Sequence, residues 1–429
     1  MKSSLMRRAS ILAVPLVTAA TWTGFAMAQG APPPPAPAPA PPPAPPAAAP
    51  APPPAAAPAP PPAAAAPKWY EKAKIEGFVD AYANLNFNFP KPQTGGNLGR
   101  AFDVSNGFAL HWAGLNASYA PDPVGGFVGL RFGPGAAIYN TGIDNQLSLT
   151  NVKQAFVAWK PGGGQLELDF GKFDTWIGAE VADTQYNMTY TRSTLFFFQP
   201  LFHTGLRLDY AVSDQLDLKL FVVNGWNNSA DNNAGKTFGA SVAITPQKTM
   251  AFYVNYIGGP EQNEFQPDAM GNLQLVQGTN SRWRHLIDGV ADLHFDQAHV
   301  LVNVDFGTET FAAVPSDKSS SFVGGNVTVG YAVNDMFALA VRGGYFSDAD
   351  GAFSPPWAPA GFKASDFDGT LTLAFTPTPN LIIKLEPRID AVSSDAPGWN
   401  GSFPKTPEVP PSFSKTMFTT TLGMVVTTN

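Results

Sequence analysis

Gln165-Leu166-Glu167-Leu168-Asp169-Phe170 reads with a period of two: Leu166, Leu168 and Phe170 share one face, Gln165, Glu167 and Asp169 the other. The alternation returns in Leu206, Leu208 and Tyr210 against Arg207 and Asp209. After only Val212-Ser213-Asp214 it resumes in Leu216, Leu218, Leu220 and Val222 against Asp217 and Lys219. These are strands with one apolar and one polar face. Between the first two lies a long loop, residues 175–200, whereas the second and third are joined by a tight turn. A hairpin closes with a few residues, so the two ends of these strands serve different tasks.

Outward from this stretch the pattern repeats. Residues 75–89 place Ile75, Val79, Leu85 and Phe87 on one side and Asp80, Asn84, Asn86 and Asn88 on the other. Further strands are expected at 107–119, 126–139, 150–159, 165–174, 201–212, 214–226, 237–245, 249–257, 284–295, 298–311, 321–333, 336–346, 367–375, 381–391 and 415–427. The connections sort by parity: those after even-numbered strands are short and rich in turn formers, such as Asn334-Asp335 and Pro377-Thr378-Pro379-Asn380. Those after odd-numbered strands are longer. A soluble sandwich has no reason to sort its loops this way, whereas a membrane barrel has short periplasmic turns and long outer loops. The expected fold is all-β, a transmembrane antiparallel up-and-down β-barrel of about 16 strands.

Composition agrees. Charged residues make up 14% of the chain, well below the roughly 25% of ordinary soluble domains. No stretch after the N-terminus is long and apolar enough to span a bilayer as a helix. The N-terminus reads as an export signal over residues 1–28: Lys2, Arg7 and Arg8, an apolar run, then Ala26-Met27-Ala28. Removing it lowers the formal charge from −7 to −10, an acidic balance that argues against a nucleic-acid partner. Every residue from Ala31 to Pro67 is Ala or Pro. The expected organisation is a signal peptide (1–28), a disordered Pro/Ala-rich periplasmic linker (29–67) and the barrel (68–429). The linker is either a simple spacer or a tether to the cell wall, and in extended form would reach on the order of 110 Å.

Aromatics sit in phase with the apolar face beside the short turns: Tyr119, Trp159, Tyr210, Phe295, Tyr331, Phe337 and Phe375. They are expected to form an interfacial girdle at one rim, with Trp226, Tyr256 and Tyr345 at the other. If the apolar face meets outer-membrane lipid, the polar face lines a lumen wide enough for water. Candidate pore-lining residues of both signs are Arg131, Asp169, Arg207, Asp209, Arg342, Lys384, Glu386 and Arg388, together with Asp80, Glu167, Asp217, Lys219, Asp288, Asp292, Asp305 and Asp390. A wet channel would hydrate these charges, which a dry core would need to neutralise; any single one reads equally as half of an ion pair that stiffens the lumen wall.

The runs Gly171-Lys172-Phe173-Asp174-Thr175-Trp176-Ile177-Gly178-Ala179-Glu180, Tyr190-Thr191-Arg192-Ser193, His203-Thr204-Gly205 and Val223-Asn224-Gly225-Trp226 resemble the putative beta-barrel porin-2 (OmpL-like) family. With the strand plan, the likeness covers Lys68 to the end. It implies an outer-membrane porin and supplies no solute. By resemblance to general porins, the loop between the fifth and sixth strands is the constriction candidate, with Glu180, Asp183 and Arg192 as its charges; the other reading packs it over the rim. A homotrimer is likewise an analogy to general porins. One departure is that many outer-membrane barrels end on an aromatic residue, whereas this chain ends Val426-Thr427-Thr428-Asn429.

Function follows as passive diffusion of small hydrophilic solutes or ions, with a mild cation preference from the net acidity. The alternative is a structural or adhesive barrel with a plugged lumen tied to the cell wall through the linker. An enzyme is not expected. Asp292 and His294 lie about 7 Å apart along one strand face, but no nucleophile elbow, His-Glu-x-x-His or phosphate loop occurs. Neither a metal nor a cofactor is expected, and the loop residues Asn227, Asn228, Asp231, Asn232 and Asn233 read as solvated.

Overall fold

The computed structural model describes residues 72–90, 97, 99–140, 144, 147–267, 273–276, 278–310, 319–353, 363–393, 399–400 and 413–428. The expected export signal and Pro/Ala linker lie outside the described residues. So do parts of the loops at 87–106, 261–282, 349–363 and 393–415.

Sixteen antiparallel strands close into a barrel. They are β1 (Ala73–Asn86), β2 (Gly107–Tyr119), β3 (Val124–Phe132), β4 (Val152–Trp159), β5 (Leu166–Asp174), β6 (Phe202–Ser213), β7 (Leu216–Val223) and β8 (Thr237–Gln247). The second half comprises β9 (Met250–Pro260), β10 (Trp283–Phe295), β11 (Ala298–Thr310), β12 (Ser319–Ala332), β13 (Phe337–Asp348), β14 (Ala364–Thr378), β15 (Leu381–Val392) and β16 (Thr416–Thr427). Each strand pairs with its sequence neighbours, and β16 closes the ring on β1 with Asp80 opposite Val425 and Asn86 opposite Thr419. Closure leaves no unpaired edge. Every connection after an even-numbered strand is short, and the long ones all gather at the other end.

The alternation sorts side chains inside out. Phe170, Val254, Leu220, Val157 and Val341 point outward and are exposed, while Asp80, Asp288, Glu386 and Asp390 point inward and are buried. Apolar area left in water costs about 25 cal/mol per Å², so an outer face of this kind suits hydrocarbon rather than water. Barrel and apolar outer surface thus follow from one period.

Two strands depart from expectation. The third ends at Phe132 instead of running to residue 139, because Pro134 at the first turn starts a helix, α1 (Pro134–Tyr139), after Gly133 at φ 135. The seventh ends at Val223, so Trp226 does not join a rim. It packs against the interior apolar cluster, with the Arg284 guanidinium 4.8 Å from its ring centre. Two bulges matter for the interior. His111 has no partner opposite it on β1, since Asp80 pairs with Trp112 and Ala81 with Leu110. Lys153 is likewise unopposed between Val152 and Gln154. Each bulge turns two consecutive residues inward: His111 and Trp112 on β2, Lys153 and Gln154 on β4.

Candidate functional site: the loop across the lumen

The segment leaving β5 enters the barrel. Its ends are pinned together where the Thr175 N–H donates to the Leu201 carbonyl at 3.0 Å. Trp176 then stacks on Phe221 with ring centres 3.6 Å apart and planes 7° from parallel, and its indole N–H reaches the Tyr256 carbonyl at 3.3 Å. The wall makes room: a Cβ on inward-facing Gly239 would lie 2.0 Å from the Trp176 ring. The chain returns through a short helix, α2 (Thr194–Phe197), whose N-cap Ser193 accepts the Phe196 N–H. Phe198 beyond it stacks on Phe346 of β13 at 3.8 Å.

The middle of the loop reaches strands on the far side of the ring. Arg342 on β13 donates through Nη1 to Glu180 at 2.9 Å and through Nε to Asp368 at 3.2 Å. Glu386 on β15 accepts the backbone N–H groups of Tyr190 at 2.6 Å and Thr191 at 3.0 Å. Lys384 donates to the carbonyls of Thr184 at 3.0 Å, Asn187 at 2.6 Å and Thr189 at 3.2 Å. Arg388 pairs with Asp390 at 2.6 Å and also reaches the Arg192 carbonyl. The Tyr190 hydroxyl donates to Asp80 on β1 at 2.8 Å, and its ring covers Gly423, where a Cβ would lie 2.0 Å away. Since β5 and β13 stand eight positions apart in a ring of sixteen, these contacts carry the loop across the lumen's width.

The three loop charges are spoken for. Asp183 takes a bidentate pair from Arg131, at 2.9 Å from Nε and 2.8 Å from Nη2, with Lys153 at 3.4 Å. Burial pushes this carboxyl up, but Arg131 and Lys153 outweigh it and hold the group well below the usual carboxylate range. Burial, helped by the Asp183 charge, pushes the Tyr186 phenol up to about 12. Glu180 accepts the Ser193 N–H at 3.0 Å besides binding Arg342. Arg192 spends its fork on its own loop: the carbonyls of Val181 at 3.0 Å, Tyr190 at 2.8 Å and Ala182, and the Thr184 hydroxyl at 3.1 Å.

Of the charged candidates, Glu180, Asp183, Arg192, Arg131, Arg342, Lys384, Glu386 and Arg388 come together around the loop. Asp169, Arg207 and Asp209 do not. Asp169 and Arg207 pair at 2.7 Å between β5 and β6, and Asp209 pairs with Lys219 nearer the short turns. In mid-barrel the ion-pair reading of the inward charges holds over hydration, because there they are buried and bound to one another or to the loop. Burying an unpaired ion costs several kcal/mol, and pairing removes that cost. Sequence reasoning also missed Arg100, which comes in from the β1–β2 loop to meet Asp390 at 2.7 Å and Thr419 at 2.9 Å. Lys153 was hidden by its bulge. Of the expected turn-side aromatics, Trp159, Tyr210, Phe295, Tyr331 and Phe337 are exposed on the outer face; Tyr119 and Phe375 are half-buried, Phe375 by stacking on Phe337 at 4.7 Å.

The family described as Putative beta-barrel porin-2, OmpL-like, matches residues 72–426. No curated protein matches the chain. Among solved structures, the chain is similar to the outer membrane channel DcaP of Acinetobacter baumannii, with a TM-score of 0.53 and 9% identity over 83% of this chain and 96% of that one. It is similar also to OmpT of Vibrio cholerae in its trimer form, with a TM-score of 0.52 and 12% identity over 83% of this chain and 98% of that one. At such identities the likeness is one of fold.

Proposed function

The chain belongs to the Putative beta-barrel porin-2, OmpL-like family, and on that premise we propose that it is an outer-membrane diffusion channel for small hydrophilic solutes or ions, narrowed by residues 176–200. The observation that carries this reading is the set of bonds from Arg342, Lys384 and Glu386 to a loop that starts half the ring away. A loop held across the lumen leaves a passage beside it rather than the full bore, which favours small solutes. The outward aromatics near the short turns serve as the interfacial girdle, and outer-membrane lipid covers the apolar face. A trimer, as in the trimer form of Vibrio cholerae OmpT, belongs to the same proposal and is tested by native mass in detergent.

Planar-bilayer recording tests the channel. Wild-type protein is expected to give small ohmic steps, and deletion of residues 183–192, which removes the loop's partners for Arg131, Lys384 and Glu386, to raise conductance at least about twofold. Equal conductance in the two would remove the loop from the account of the passage. A second reading, a barrel plugged at mid-height and tethered to the cell wall through residues 29–67, is favoured by the burial of the mid-barrel charges. It requires that wild-type protein give no steps while the loop-released variant does.

A further inference from the structure

Away from the loop, at the turn end of the lumen, three side chains of β10 and β11 converge. Asp292 and His294 lie two residues apart on the inward face of β10, and His299 stands directly opposite His294 in the β10–β11 pairing. The two-residue turn 296–297 fixes that register. The His299 Nε2 lies 2.6 Å and the His294 Nε2 3.1 Å from the same Asp292 oxygen, Oδ1. The imidazoles are stacked, with centres 4.2 Å apart and planes 12° from parallel, and both Nε2 atoms border the same carboxylate oxygen. The ligand atoms of all three groups lie within 4.8 Å of one another.

We propose that Asp292, His294 and His299 bind a divalent transition-metal ion of the zinc class at this end of the lumen. Two imidazole nitrogens and a carboxylate oxygen are ligands that zinc, nickel and copper favour over calcium or magnesium. Bonds of about 2.0–2.1 Å in tetrahedral geometry set neighbouring ligand atoms about 3.4 Å apart, so the oxygen–nitrogen distances of 2.6 Å and 3.1 Å would lengthen on binding while the imidazoles turn out of their stack. The ion would take the place of the protons now shared between the imidazoles and the carboxylate, leaving a fourth position for water or a passing anionic group. Cross-strand pairing supplies rigidity: His294 and His299 sit opposite each other on one backbone rung, so their backbone needs little ordering on binding.

The test is a Zn²⁺ titration of the folded full chain in detergent against a chromophoric chelator, a readout that does not depend on conduction. One equivalent is expected. His294→Gln and His299→Gln should each weaken it at least about tenfold, since loss of an outer-shell partner alone costs that much. Asp292→Asn, which keeps size and hydrogen bonding, should also weaken it, and serves if a histidine variant fails to fold. His285→Gln, at the far end of β10 where His285 bonds the Tyr256 hydroxyl at 2.8 Å, should bind as wild type does. Absence of the equivalent, or affinity unchanged in the Asp292, His294 and His299 variants, overturns the site and leaves a carboxylate shared by two imidazoles.

Discussion

Gly423 shows how one absent side chain positions a loop more than two hundred residues away. It faces inward on β16, and Tyr190 lies flat against it, free to send its hydroxyl to Asp80 and its N–H to Glu386. A methyl group there would sit 2.0 Å from the ring, so Gly423→Ala should displace Tyr190 and loosen the loop. Overpacking of this kind costs about 1–3 kcal/mol. The prediction is a lower temperature for the shift between folded and unfolded bands in heat-modifiability gels. Gly343→Ala, with nothing within 4 Å of its new carbon, should match wild type, and equal midpoints for both variants would contradict the packing described.

Among the elements, the connection from β7 to β8 is clamped by one carboxyl. Glu261, just past β9, accepts the Trp226 N–H at 2.8 Å and the Thr237 hydroxyl at 2.6 Å. Burial pushes its pKa up to about 7, with nearby Glu309 adding to the rise and Arg284 and the two hydrogen bonds opposing it. A carboxyl raised in the folded state binds its proton more tightly there than in the unfolded chain. Its stabilising contribution is therefore complete below the ordinary value of 4.5 and is lost as pH rises through about 7, a swing of about 3 kcal/mol. Hydrogen exchange, corrected for its intrinsic pH dependence, should show protection of residues 224–236 falling over that window. In Glu261→Gln the fall should be absent; a fall of the same size in the variant would assign it to another group.

For the whole molecule the question is which charges remain available to a passing ion. Of the loop charges, Glu180 and Asp183 are paired with Arg342 and Arg131 and Arg192 is bound to its own loop, whereas the carboxylates of Glu167, Asp209, Asp217 and Asp292 keep part of their surface open at the turn end. Lys219, between Asp209 and Asp217, is 4% exposed. This acidic mouth supports a cation preference on firmer ground than net charge does. Reversal potentials in a salt gradient should show it, and Asp209→Asn/Asp217→Asn should move them toward zero; anion preference in wild type would overturn the assignment.

The strands, their number, the inward and outward faces and the sorting of turns from loops are properties of neighbours in the chain. A pleated backbone repeats every two residues, so order alone displays them in 165–170 as in 75–89. The misread third strand and the inward Lys153 mark where that locality fails: a proline-started helical turn and a bulge each break the period without a distinctive signature. Partnerships are another matter. Glu386 and Tyr190 are 196 residues apart, and their hydrogen bond exists because β16 closes on β1 and the 175–201 segment turns into the ring. His294 and His299 meet through a two-residue turn whose register is a tertiary fact. Alternation, together with the sorting of short and long connections by parity, determined that this chain is a barrel with an apolar outside. Ring closure and the path of one loop decided which of its charges meet, because contact depends on distance in space and the sequence records only distance along the chain.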